Sequence, residues 1–332
     1  MIVGVGVDGR YGFSAAEHRE IARSAAALGF GSLWTNAVTI PDPFHVCALW
    51  AEAAGGAVRT GISVIGALNW KPQSLAGQAA TVGLLSGGRF TLGIGTGGAG
   101  VTQRPIATMA DYLAVLRPLL AGEEVVYRGA TMDLEPFRVG GRFPRVPVYL
   151  AALGPQMLRL AGRAADGAAL SFATPAEIAR SADLIAAGAQ AAGRDRGDIA
   201  LSMYLRVCVD EDADLARQAF AVNVLGYALA RPGTDKRLAY RGLFGRMGYD
   251  EALSDLEARR DRGAGLDELA RRAPDGMLRA VGYFGTAGGA AGRFATLSAG
   301  LDETIVRYIA ARPGVEPLLA TMDTLAPARI LA

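Results

Sequence analysis

Short apolar runs recur along the chain, most of them closed by glycine, proline or a small polar residue and followed by residues at helical spacing. The runs predict eight strands, at residues 2–7, 32–35, 60–65, 90–94, 148–152, 168–171, 200–209 and 303–308. Helices are predicted to begin near Ser14, Asp42, Pro72, Ile106, Pro155, Pro175 and Asp210, several with a capping side chain or a first-turn proline. Strand-helix alternation fits either an open doubly wound sheet or a closed barrel. The number of strands and the chain length favour an α/β fold of the (β/α)8 TIM-barrel type, one domain over residues 1–332. Two stretches exceed simple connectors. Residues 122–145 carry hairpin signals, and residues 230–281 are rich in Arg, Asp, Glu and Ala, with the charges from Asp255 to Arg272 expected on a solvated helical face.

Composition narrows the class. The 332 residues are 51% hydrophobic and 20% charged, enough to bury a large core, and 34 basic against 32 acidic side chains give a net charge of +2 with no basic block. Nucleic-acid and membrane partners are therefore not expected. Cys47 and Cys208 sit singly in apolar surroundings, which argues against a disulfide framework or a zinc site and for a cytoplasmic protein. The chain opens directly on a strand, without the pattern of a signal peptide, and no apolar run reaches membrane-spanning length.

The most informative stretch is 146–171, which reads as a strand, a turn, a helix and a further strand. Gly154-Pro155 ends the first strand, and proline in the first helical turn sacrifices no hydrogen bond. The unpaired N–H groups of Gln156 and Met157 then point outward at the positive end of the helix dipole, an arrangement suited to an anion. A second glycine-rich turn follows the fourth strand, Gly93-Ile-Gly95-Thr96-Gly97-Gly-Ala-Gly100. It lacks the ending of a P-loop and the spacing of a dinucleotide fingerprint, and suggests a flat ligand packed against Gly95, Thr96 and Gly97. Neither His18, expected on a surface helix, nor His45, at a helix start, makes a catalytic base. No cluster has metal-ligand spacing and no nucleophile elbow is present, so the chemistry is expected to reside in a cofactor.

Three segments together resemble the luciferase-like monooxygenase superfamily, in particular its branch of coenzyme F420-dependent oxidoreductases typified by methylenetetrahydromethanopterin reductase. They are Thr60-Gly-Ile-Ser-Val-Ile-Gly-Ala-Leu-Asn-Trp-Lys-Pro72, Leu85-Ser-Gly-Gly-Arg-Phe-Thr-Leu-Gly-Ile-Gly-Thr-Gly97 and Ala151-Ala-Leu-Gly-Pro-Gln-Met-Leu-Arg-Leu-Ala-Gly-Arg-Ala-Ala-Asp-Gly167. Phe284-Gly-Thr286, then a helix and Ala299–Val306, is similar to the end of the same fold. The resemblance implies a barrel that is usually dimeric. It implies that Leu153, Gly154, Pro155, Gln156 and Met157, with Ser171 nearby, take the cofactor phosphate. It also implies a non-prolyl cis peptide at Ser63-Val64, backing the cofactor ring.

The implied reaction is hydride transfer between the deazaflavin C5 and a small organic substrate: a carbonyl, an imine or an activated alkene. A flavin mononucleotide (FMN) monooxygenase of the same superfamily, served by a flavin reductase partner, is the alternative, and a non-catalytic ligand-binding member is a third. One departure bears on mechanism. Many relatives carry an acid-histidine pair after strand two, where this chain reads Leu33-Trp-Thr-Asn-Ala-Val-Thr-Ile-Pro41. Asn36 can hydrogen-bond but cannot act as a base, and Asp8 at the end of strand one is the nearest carboxylate. Trp34, Trp70 and the pair Tyr204 and Arg206, which share one face of a strand, are candidate substrate contacts.

Overall fold

A computed structural model describes residues 1–38, 40–97 and 102–331. In chain order the strands are β1 (Ile2–Val7), β2 (Ser32–Thr35), β3 (Arg59–Gly66), β4 (Phe90–Gly95), β5 (Val125–Arg128), β6 (Asp133–Phe137), β7 (Val148–Ala151), β8 (Gly167–Ser171), β9 (Ala200–Val209), β10 (Gly282–Gly285) and β11 (Glu303–Tyr308). The parallel order β9-β11-β1-β2-β3-β4-β7-β8 returns to β9, so eight strands close into a barrel with helices outside. All eight predicted strands are present, with ends displaced by at most one residue.

Local chemistry sets the helix starts. Ser14 and Glu17 form a reciprocal capping box, Asp42 accepts from the amides of Phe44 and His45, and Thr174 caps the helix that opens at Pro175. The strand interiors are buried on both faces, as expected of a parallel sheet covered by helices. Within the barrel one layer packs Trp34, Tyr149, Tyr204 and Ile305 together. Gly61 makes the space for Trp34, because a Cβ there would meet the indole at 2.5 Å.

The excursion at 122–145 contains the antiparallel hairpin β5-β6. The one at 230–281 folds into short helices at 239–244, 250–261, 266–272 and 275–280, which share a second apolar cluster with the helix Ala213–Ala228 and with Phe172 and Cys208. Three details differ from the sequence reading. β10 is an additional strand, pairing with the far half of β9 beyond the point where β8 ends. Glu257 does not lie on a solvated face: it is buried, and accepts from Arg241 Nε at 2.9 Å and from the amide of Ala230 at 2.8 Å. His18 is also inside, with its ring edge-on to Phe13 and Trp50, because those aromatics close over the helix. Among the described residues no helix is long and apolar enough to cross a membrane.

Candidate active site

The C-terminal ends of the barrel strands make a mouth with two unlike halves. On one side stand the ends of β3, β4 and β7, where side chains are small or absent. The register of β3 on β4 shifts between Ile62 and Ile65, and the Ser63-Val64 peptide within that bulge is cis. The bulge turns Val64 across the neighbouring strand. A Cβ on Gly95 would meet Val64 Cγ2 at 3.1 Å and Ala151 Cβ at 3.2 Å, so glycine is what keeps this wall low. Gly97 has φ +86° and approaches Gly66, while Thr96 is half-buried beside it. Residues 98–100 of the glycine-rich turn lie outside the described residues.

Next to this wall, Gly154 adopts an extended conformation and caps the helix Pro155–Ala164 without any side-chain hydrogen bond. Among the described residues a Cβ on Gly154 would meet nothing within 4 Å, so none of them crowds the turn. Gln156 is exposed and Met157 half-buried, and as second and third helical residues both present unpaired N–H groups. Arg246, from the long excursion, donates to the Leu153 carbonyl at 3.2 Å and so brings a cation to the anion-receptive end of the helix. Ser171, at the end of β8, is buried close by. A flat, phosphate-bearing ligand therefore fits the chemistry of this half: free amides for the anion and glycine-lined backbone for the ring.

The opposite half, at the ends of β1, β8, β9 and β11, is charged. Asp8 is only 6% exposed and its carboxylate is fully engaged. Oδ1 accepts from Arg10 N and Nε, both at 3.0 Å, and from Asn36 Nδ2 at 3.2 Å. Oδ2 accepts from Arg10 Nη2 at 2.7 Å and Arg307 Nη2 at 2.6 Å. Burial alone would raise its pKa, but the hydrogen bonds and charges of Arg10 and Arg307 hold the carboxyl well below the usual range. The structure thus gives Asp8 an anchoring task in place of the expected proton-handling one, since a carboxylate so held is a poor base. Asn36 is likewise committed, accepting from the Gly9 amide at 3.1 Å while donating to Asp8.

The aromatic and cationic candidates separate. Trp34 is 1% exposed, deep inside the barrel, and its indole donates to Ser32 and Glu303, so it is a core residue and not a mouth contact. Tyr204 is in the same layer, donating to the Thr35 carbonyl at 3.2 Å, and burial pushes its phenol above the ordinary value. Trp70 lies at the rim, its ring edge-on to Phe44, and lines a groove of about 650 Å³ with Asn69, Lys71, Thr102, Arg104 and Tyr112. Arg206 is at the mouth: Nη1 donates to Ser171 Oγ at 2.8 Å and Nε to Asn223 Oδ1 at 3.1 Å. Its guanidinium lies 3.4 Å from the Phe172 ring centroid and 5.0 Å from that of Tyr227.

Arg10, Arg307, Tyr227 and Arg246 escaped the sequence reading. Arg307 alone carried a signal, a charge at inward parity with Ile305 and Glu303 in a short strand.

The sequence model of the luciferase-like monooxygenase family matches residues 3–303. A 5,10-methylenetetrahydromethanopterin reductase of Methanolobus tindarius is 28% identical over 61% of this chain and 64% of its own length. The match to the same enzyme of Archaeoglobus fulgidus, 29% identical, covers 53% of this chain and 55% of that protein, so the chain spans less than two thirds of the length of these curated relatives. Among solved structures, the coenzyme F420-dependent tetrahydromethanopterin reductase of Methanopyrus kandleri superimposes with a TM-score of 0.81 at 20% identity, over 98% of this chain and 97% of that one.

Proposed function

We propose that this chain, which belongs to the luciferase-like monooxygenase family, is an oxidoreductase that uses coenzyme F420 to move a hydride to or from a small organic substrate. The observation that carries the reading is the juxtaposition of the uncapped Gly154-Pro155 helix start with the glycine wall at Gly95 and the bulge at Ser63-Val64. The amides of Gln156 and Met157 would hold the phosphate, and Val64, Gly95 and Ala151 would support the ring. When bound, the deazaflavin supplies two-electron hydride chemistry. The chain's own residues bind and orient it, and the mouth offers the fixed charges of Asp8, Arg10 and Arg307 on the opposite side. The relatives named as F420-dependent support F420 over FMN, among them a glucose-6-phosphate dehydrogenase from Kineococcus radiotolerans, 32% identical over 60% of this chain and 66% of its length. A homodimer belongs to the same reading.

Fluorescence titration of the purified protein with F420 and with FMN, side by side, tests it. Tight binding of F420, followed by oxidation of reduced F420 on addition of a carbonyl compound, is expected. Binding of FMN alone would replace this reading with the monooxygenase one, and binding of neither would leave a non-catalytic member. Sedimentation in the same buffer checks the dimer.

A further inference from the structure

Among the described residues, Arg206 is a buried guanidinium without an acidic partner. It is 4% exposed, and among the described residues its hydrogen bonds end on the neutral oxygens of Ser171 and Asn223. Arg307 stands directly opposite it on β11, in register, and one of its nitrogens, Nη1, is buried with no partner among the described residues. Two guanidinium groups side by side across neighbouring strands repel, and of these two Asp8 answers Arg307 and not Arg206. The balancing group must come from what covers them.

Over Arg206 lies Tyr227, near the end of the helix Ala213–Ala228. Its ring lies 5.3 Å from that of Phe172 and 5.2 Å from that of Tyr240, and the Arg206 guanidinium is 3.4 Å from the Phe172 centroid and 5.0 Å from that of Tyr227. It is half-buried, so one edge meets solvent. We propose that Tyr227, packed against the unpaired Arg206, is the proton-transfer residue of this mouth and takes the role left open by the absence of an acid-histidine pair after β2. Burial alone would push the phenol up, yet Arg206, Arg307 and Arg10 outweigh both that and the opposing charge of Asp8, and hold it below the ordinary tyrosine value. Tyr240, the other phenol beside Arg206, is shifted the opposite way by its burial.

The step rests on the hydride-transfer reading given above. A hydride reaches the carbonyl carbon, the π pair of the C=O bond moves to oxygen, and the Tyr227 O–H bond breaks to protonate that oxygen. The product is the alcohol, and the phenolate left against Arg206 recovers a proton from water at its exposed edge. Oxidation runs the same path backwards.

Tyrosinate absorbance in the apo protein tests the assignment without cofactor. One of the ten tyrosines should titrate ahead of the rest, the early step should vanish in Tyr227→Phe, and it should move to higher pH in Arg206→Gln. Should Arg206→Gln not fold, Arg10→Gln at the surface should move the step in the same direction by less. Limiting tetranitromethane should nitrate Tyr227 first. With reduced F420 and the carbonyl compound it turns over, Tyr227→Phe should lower kcat about 100-fold near neutral pH with cofactor affinity unchanged. A single late titration of all tyrosines, an early step that survives Tyr227→Phe, or an unchanged kcat in that variant would each overturn the proposal. Failure to bind F420 would instead fault the cofactor reading and leave the apo titration standing.

Discussion

The two halves of the barrel mouth are built by opposite means. At the ends of β3, β4 and β7 the chain removes side chains, so that backbone amides and a low glycine wall define the surface. At the ends of β1, β8, β9 and β11 it crowds guanidinium groups and neutralises them sparingly, with Asp8 for Arg10 and Arg307 and, among the described residues, no acid for Arg206. One half is a matter of shape and tolerates little added volume. The other is a matter of charge balance and tolerates little loss of a partner.

Removing the anchor is the harshest way to break the charged half. Asp8→Ala leaves Arg307, 5% exposed, without its counter-charge, which is expected to cost about 3–5 kcal/mol of folding stability, read as a lower urea midpoint. The pH dependence follows from the direction of the shift. A carboxyl held low in the folded state stabilises it fully above the unfolded value, near 3.8, and that contribution fades as acid carries the pH down towards the folded value. Wild type should therefore lose stability on acidification below about pH 4, and Asp8→Asn should show a shallower loss. A wild-type acid limb unchanged by Asp8→Asn would mean that the ion pair is not what holds this half together.

Filling space is the corresponding attack on the other half. Gly95→Leu must push aside Val64 and Ala151, at 3.1 and 3.2 Å from the added Cβ, and is expected to abolish cofactor binding while costing about 1–3 kcal/mol of stability. Gly154→Asp differs, because among the described residues the added Cβ meets nothing within 4 Å and the fold should be untouched. Its carboxylate would face the phosphate, and a like-charge contact at an effective dielectric near 20 predicts at least roughly 100-fold weaker binding. Calorimetric titration with F420 measures both variants. Binding by Gly154→Asp at wild-type strength would move the phosphate elsewhere.

The same contrast explains what could be read from the chain. Gly95, Gly154 and Pro155 announce themselves locally, since each restricts or frees its own backbone and interrupts a strand at a fixed place. The charged half depends on partners far apart in sequence: Asp8 meets Arg307 across 299 positions, and Arg206 meets Asn223 and Tyr227 from an outer helix. Nothing local in Asp8 separates an anchored carboxylate from a base. Trp34 misled for a related reason. Strand parity turns it into the barrel, but its depth depends on Gly61 across the next strand leaving room for the indole. His18 is flanked in sequence by Glu17 and Arg19, yet Trp50 of the following helix covers it. β10, four residues long, has too little pattern to stand out and forms because β9 extends past β8.

Arg246 is where the two halves meet, a guanidinium of the excursion reaching the glycine side. It is exposed and donates to the carbonyls of Leu153 and Gly242, at 3.2 and 3.3 Å. A cation beside the positive end of a helix is unfavourable until an anion arrives, so its contribution should appear on binding and not in the stability of the free protein. Solvent screening limits it to about 0.3–1 kcal/mol, so Arg246→Gln should weaken F420 binding roughly two- to fivefold and leave the urea midpoint where it is. The salt dependence of binding should flatten with it, because the screened charge has gone. Affinity and salt dependence both at wild-type values would show that the backbone amides of Gln156 and Met157 hold the phosphate alone. A loss as large as that of Gly154→Asp would make the excursion an equal part of the anchor, and the division between a side built from backbone and a side built from charge would fall at that point.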